Sequence, residues 1–290
     1  MSASPIALTL ALLVGSSLPA LAQDSSTSAF DKIPWESGPV LGKLGDEARV
    51  TVPEGCHFTG QDGTRQFMEL SENPVSGSEL GTVLCRLTDA KGETESTWFA
   101  VFEFDDSGYV KDDEKKSLDG DAILASLKEG NEQGNKARKK RGWEAIYLDG
   151  WQVAPHYDDR TKNLTWATKL HGEDQSKVLN HSVRLLGRGG VMSVDLVVSP
   201  DYYDRALPAF DAIVGDFKYS TGHSYAEWRD GDKIAKYGLT ALVAGGAGAM
   251  LVKTGLLQKF GKAIVLAVVG AAAAVKKFLF GKGKDSPAKA

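Results

Sequence analysis

The amino-acid sequence predicts an α+β domain, an antiparallel sheet carrying about three helices, followed by a C-terminal transmembrane region. Three observations predict it. Strand-like runs of alternating or continuous apolar residues recur through the body, each bounded by turn residues. A single long helix with opposite charges at its two ends divides those strands into two groups. The last 54 residues are apolar runs punctuated by lysine.

Along the chain, IALTLALLVGSSLPALAQ is an apolar run closing on Ala20-Leu21-Ala22, the small-residue pattern of a signal-peptide cleavage site before Gln23. Residues 1–22 therefore read as a signal peptide. The first five residues carry no Lys or Arg, so an uncleaved leader is the alternative. Arg49-Val-Thr-Val-Pro53 with the following EGCHF reads as a first strand, and TRQFMEL (64–70) as a short helix. The Asn-, Pro-, Gly- and Ser-rich stretch 71–81 is a loop. It leads to two strands, TVLCRL (82–87) and STWFAVFEF (96–104), around the turn DAKGE. This half is a β-meander with one helix.

Residues 118–142 form the long helix, with Asp119 as N-cap and Gly142 as stop. Asp112, Asp113, Glu114, Asp119 and Asp121 crowd its beginning, and Lys136, Arg138, Lys139, Lys140 and Arg141 its end. That is the stabilising polarity for the helix dipole, so both clusters read as structural. Next come the strand WEAIYLDGWQVAPHYD, the turn DDRTKN, and Leu164, Trp166, Thr168 and Leu170 alternating on one face. A second hairpin, VLNHSVRLLGRGGVMSVDLVVS, turns at 187–190. Ser199 and Pro200 open a helix that Pro208 is expected to break or kink.

In the tail, residues 237–252 and 263–275 are uncharged runs of 16 and 13 residues, each short of the roughly 20 that span a hydrocarbon core. Snorkelling by Lys253, Lys262, Lys276 and Lys277 would extend them. The expected division is 1–22 signal peptide, 23–236 exported domain and 237–290 membrane anchor, with one or two helices at about 237–255 and 261–280. One span with an amphipathic helix, or two spans, are the alternatives; a hairpin would place Lys276, Lys277, Lys282, Lys284 and Lys289 outside, against the positive-inside rule. Small residues at Ala241, Gly245 and Ala249, and at Gly270 and Ala274, suit close helix packing or a homo-oligomer.

Residues 237–290 hold eight Lys and one Asp while the whole chain is at −4, so the body is strongly acidic. An acidic body excludes nucleic acid as a partner, and the basic tail is explained by anionic lipid. Cys56 and Cys85 are the only cysteines, and export would place them in an oxidising compartment. A bridge between them would contribute about 3.6 kcal/mol by loop closure. Two separate buried thiols fit the spacing equally well.

Chemistry is thinly signalled. FDDSGYVKDDE lacks the ligand spacing and central glycine of a Ca²⁺ loop. His57, His156, His171, His181 and His223 are scattered without metal-ligand spacing, so neither metal nor cofactor is expected. Cys56 and His57 point to opposite sides of a strand, and no Gly-x-Ser-x-Gly elbow occurs. Trp143, Tyr147, Trp151, Val153 and Tyr157 nominally share one strand face, which reads as a packed sheet surface. The alternative is a recognition surface of Trp151, His156, Tyr157, Asp158, Asp159 and Trp166 around PHYDD.

At GYVKDDEK, GNEQGNKARKKRGW, DGWQVAPHYD, LTWA, RLLGRGGV and YAEWRDGDKIAKYGLTALVAGG the chain closely resembles domain-of-unknown-function family 2167, bacterial proteins described as membrane-anchored. The resemblance spans nearly the whole mature chain. It implies topology and no activity. The element order also looks like the PsbP/Mog1 class of exported sheet domains. The expectation is a bacterial envelope protein in the inner membrane, its main domain in the periplasm, acting as a non-enzymatic binding module. Its partners would be the bilayer and an envelope protein or a second copy. An envelope hydrolase and an oligomerising membrane-active protein are the alternatives.

Overall fold

The structure, a computed structural model, describes residues 29–244. The leader and the tail beyond Ala244, with the membrane helices expected there, lie outside the described residues. Eleven strands and four α-helices are described: β1 (Glu36–Ser37), β2 (Val40–Leu44), β3 (Ala48–Val52), β4 (Cys56–Gly60), α1 (Gln61–Leu70), β5 (Glu79–Thr88), β6 (Thr94–Asp105), α2 (Gly120–Lys140), β7 (Ile146–Asp158), β8 (Asn163–Gly172), β9 (Lys177–Leu186), β10 (Val191–Val198), α3 (Tyr203–Gly215), β11 (Lys218–Tyr219) and α4 (Leu239–Val243). The architecture is α+β.

Eight strands form one antiparallel sheet in the order β1-β4-β5-β6-β10-β9-β8-β7. Two meanders, β4 to β6 and β7 to β10, meet where β10 pairs with β6. Helix α2 carries the chain from the middle of the sheet to its far edge. Strand β6 shows why the centre is continuous in apolar residues. Trp98, Ala100 and Phe102 are buried on one side, Phe99 and Val101 on the other, because both faces are covered.

On the first face β2, β3 and β11 make a second, three-stranded sheet that, with α3, closes an apolar core around Trp98, Val194, Leu196 and Phe210. The second face carries two separate apolar clusters. One gathers Phe67 and Met68 of α1 against Phe99 and Val197; the other gathers Val110, Ile123, Leu164, Trp166, Leu239, Leu242 and Val243.

The free edge of β7 is covered by side chains. Asn131 and Asn135, one turn apart on α2, both donate to the Ile146 carbonyl at 2.9 and 2.8 Å. Their carbonyl oxygens accept from the Leu148 and Ile146 amides at 3.2 and 2.9 Å. Edge groups that would template another strand are thus satisfied within the chain. One turn further, buried Arg138 donates to the carbonyls of Glu144 and Glu72, tying α2 to the end of α1.

Several expectations need correction. Arg49–Phe58 is not one strand: Pro53 and Gly55, the latter at φ +79°, turn the chain from β3 in the small sheet to β4 in the large one. Pro208 does not break α3, which runs continuously from Tyr203 to Gly215 while Phe210 and Ile213 beyond the proline are buried. The segment expected to open the anchor begins with residues packed on the domain. Leu239, Leu242 and Val243 are buried in the cluster around Ile123, so the opening of the supposed anchor is domain core. No helix among the described residues is long and apolar enough to cross a membrane. Cys56 and Cys85 are opposite each other on β4 and β5 and are joined by a disulfide with Cα atoms 4.1 Å apart.

Candidate functional site

Residues 106–119 leave the centre of the sheet and cross to the start of α2. Gly108 lies at φ +105°, with no room for a Cβ beside the Lys233 carbonyl, and this lets the next residues lie along the chain's late segment. Tyr109 donates its amide to the Lys233 carbonyl at 2.8 Å and accepts from the Ala235 amide at 2.9 Å. Tyr225 donates its hydroxyl to the Val110 carbonyl at 3.0 Å. Glu114 accepts from the Thr240 amide at 2.8 Å at the beginning of α4. Asp119 accepts from the amides of Asp121 and Ala122 and caps α2.

These ties enclose a cleft of about 770 Å³ between the loop, the first turns of α2 and residues 234–244. It is lined by the apolar Ala122, Ile123, Ala241 and Ala244, by the hydroxyls of Ser117 and Ser126, and by charges of both signs from Lys111, Lys236, Asp113, Glu114 and Asp119. The lining contains no histidine and no cysteine. Such a lining can hold an amphiphilic molecule, with hydrogen bonds fixing its polar end.

The six residues expected to form a recognition surface are distributed differently. Trp151 donates its indole N–H to the Gly120 carbonyl at 3.1 Å, and Tyr157 its hydroxyl to Asp112 at 3.1 Å; both pack against the cluster under the loop. Trp166 is buried with the Arg184 guanidinium 4.7 Å above its ring. Asp158 accepts from the Arg160 amide at 2.8 Å and closes the β7–β8 turn, a bond that also lowers its pKa. Asp159 meets Lys115 at 2.5 Å and Lys162 at 3.7 Å, and Asp112 lies within 3.7 Å of both lysines. Only His156 projects freely outward, its ring beside the Ala154 carbonyl. PHYDD therefore buttresses the cleft loop from behind.

The aromatic stripe expected along β7 is not a single face. Three register shifts against β8, between Leu148 and Gly150, Trp151 and Val153, and Val153 and His156, reset the alternation. Tyr147 consequently lies exposed and stacked on His171, while Trp151 and Tyr157 pack inward.

A polar band crosses the second face between its two apolar clusters. Glu79 is fully buried and opposite Glu103 in the β5–β6 register. Asp195 pairs with Arg184 at 3.1 Å and accepts from the Ser182 hydroxyl at 2.5 Å. Burial first, and then the negative charges of Asp195 and Glu79, push the Glu103 carboxyl up to about 7. Ser76 and Ser78 each donate to it at 3.3 Å. This carboxyl can take up or release a proton near neutrality, but it does not line the cleft. On the opposite face burial depresses the His181 pKa to about 4, and the neutral ring meets the Tyr203 hydroxyl at 2.7 Å.

Among the described residues no group of three His, Cys, Asp or Glu side chains is placed to hold a metal ion. The bridge leaves neither cysteine with a thiol. Sequence reasoning missed the cleft, Glu103, and the Asn131, Asn135 and Arg138 ties. The i, i+4, i+7 spacing of those three within GNEQGNKARKKRGW is the signal that could have found the ties.

Comparison with known proteins adds family and little else. No curated protein matches the chain. A solved structure, cyanobacterial PsbP (CyanoP) from Synechocystis sp. PCC 6803, is similar at 13% identity and a TM-score of 0.35, covering 63% of this chain and 95% of that one. Residues 37–276 match the family described as protein of unknown function DUF2167, and the chain belongs to that family.

Proposed function

We propose that this member of DUF2167 is a non-enzymatic binding module attached to a membrane of the bacterial envelope, with the cleft as its ligand seat. The observation that carries the reading is the cleft's position. It lies at the root of the tail, partly built from Ala241 and Ala244 of the first uncharged run of the lysine-punctuated apolar stretch. A leader and a basic apolar tail around an acidic body support export and attachment. Because residues 239–243 are domain core, only eight uncharged residues remain between Ala244 and Lys253. Membrane contact then falls chiefly to the second apolar run, 263–280, and a two-span hairpin is disfavoured.

An apolar lining with hydroxyls and charges of both signs suits a small amphiphile with a polar head. The lining disfavours hydrolysis, since Glu114 and Asp119 are committed to helix starts and, among the described residues, no histidine lines the cleft beside Ser117 or Ser126. The test is native mass analysis of the full chain extracted in mild detergent. Ala122→Trp and Ser126→Trp, at exposed positions of α2 that line the cleft, should remove a bound species that wild type retains. Identical spectra for wild type and both variants would refute the seat. Turnover of an envelope substrate by the purified chain would overturn the non-enzymatic reading.

A further inference from the structure

Five large apolar side chains are well exposed among the described residues, and two of them, Trp228 at 38% and Ile234 at 43%, are six positions apart in the segment that leads to the tail. They belong to one patch. Tyr109 forms an isolated parallel bridge with Ile234, and its ring lies 5.5 Å from that of Trp228 and stacks at 4.4 Å on Tyr225. The aromatic shelf is held from below by the Tyr225 hydroxyl on the Val110 carbonyl, so its rings are already ordered before they meet anything. Cations flank it. Lys233 and Lys236 are exposed on either side of Ile234, the Lys233 ammonium donating to the Asp106 carbonyl at 2.5 Å, and Lys111 is exposed two residues beyond Tyr109. Ile234, Lys111 and Lys236 also line the cleft, so patch and cleft mouth adjoin.

Aromatic rings with a polar edge, an aliphatic side chain and surrounding lysines form the composition that partitions to a bilayer interface. The rings settle at headgroup depth and the ammonium groups meet lipid phosphates. The composition of the tail points to the same partner: 46 residues beyond Ala244, with two apolar runs and eight lysines against one acid. We infer that Tyr109, Trp228 and Ile234, flanked by Lys111, Lys233 and Lys236, seat the domain on an anionic lipid bilayer. The inference rests on the proposed membrane attachment and goes beyond it, because a tail can hold a domain on a tether without the domain touching lipid. Seated this way, the cleft opens at the headgroup layer, and its amphiphile is drawn from the membrane itself.

Of the six tryptophans only Trp228 is more than a third exposed, so brominated lipid reports on it selectively. Full-length protein would be reconstituted in vesicles of brominated phosphatidylcholine with and without phosphatidylglycerol, and assayed by flotation and tryptophan emission. The inference expects flotation in every case, quenching in wild type that deepens with phosphatidylglycerol, and no quenching in Trp228→Phe. Lys111→Glu with Lys236→Glu should float and lose the phosphatidylglycerol dependence, which checks that neighbouring Asp113 and Asp230 do not cancel the lysines. Ile234→Asp, which leaves every ring in place, should float with weakened quenching. Flotation of wild type without quenching would overturn the seating and leave attachment standing. Failure of wild type to float would overturn both.

Discussion

The two faces of the large sheet are built from alternate residues of the same strands, and they solve burial differently. The first face is sealed by a second sheet and α3 into one apolar cluster running from Cys56 and Trp98 to Phe210 and Ile213. On this face burial holds His181 neutral. The second face is divided into two smaller clusters by a band containing Glu79, Glu103, Arg184 and Asp195. One face is a conventional core; the other gives up continuous packing to hold charge, and it is the face whose covering loop makes the cleft. Burial and the Cys56–Cys85 bridge maintain the first face, whereas the second depends on protonation and on specific ties.

The sharpest way to break the first face is Trp98→Ala. Trp98 is 1% exposed and meets Phe210 edge-on at 6.4 Å, so truncation should cost about 3–5 kcal/mol, read by chemical denaturation. Replacing both Cys56 and Cys85 by Ser should cost about 3.6 kcal/mol through loop closure, matched in wild type by adding reductant. A loss below 1 kcal/mol in either case would mean that this face is less consolidated than its burial implies.

The second face should respond to pH. Between about pH 4.5 and 7 the unfolded chain has released the Glu103 proton while the folded chain still holds it, so stability falls as pH rises through that window. Glu103→Gln should therefore raise stability at pH 8 by about 1–3 kcal/mol and remove the decline. His181 acts with opposite sign. Between about pH 4 and 6.5 the unfolded imidazole is protonated and the folded one is not, so its contribution to stability grows with rising pH. In wild type the two slopes offset each other over their common range. Glu103→Gln should expose the rising slope of His181, and denaturation midpoints from pH 4 to 8 test this; a flat profile in the variant would refute the opposition.

Smaller effects test the ties of the second face. Asn131→Ala and Asn135→Ala should each cost about 1–2 kcal/mol, because β7 amide and carbonyl groups lose their partners, and should speed amide exchange at Ile146 and Leu148. Lys115→Ala should change stability least. Its pairing with Asp159 and Asp112 is exposed to solvent, and whatever difference appears at low salt should vanish at high salt.

Legibility followed the range of the interaction. The α2 cap at Asp119, the stop at Gly142, the turn at 187–190 and the common face of Met192, Val194, Leu196 and Val198 all rest on neighbours within a few residues, and all were readable. The inward packing of Trp151 and Tyr157 was obscured, since a two-residue period cannot anticipate three register shifts against β8. Of the recognition surface, Asp158 could have been suspected as a turn residue from the following Arg160 and Thr161. The partners of Asp159 and Tyr157 lie about 45 residues upstream, and no local pattern shows them.

By itself the sequence determined the α+β class, the two strand groups either side of a dipole-matched helix, and the uneven charge of body and tail, because propensity, capping and hydrophobic period act locally. Only the tertiary structure decided that residues 239–243 pack into the core, which carboxyl titrates near neutrality and where a cleft opens. Leu239, Leu242 and Val243 read as the start of an anchor until they are packed against Ile123. Glu103 is one acid among many until β5 and β10 bring Glu79 and Asp195 beside it and remove much of its water. Burial and charge coupling depend on which distant segments share a volume, and that is a property of the assembled chain rather than of any stretch of it.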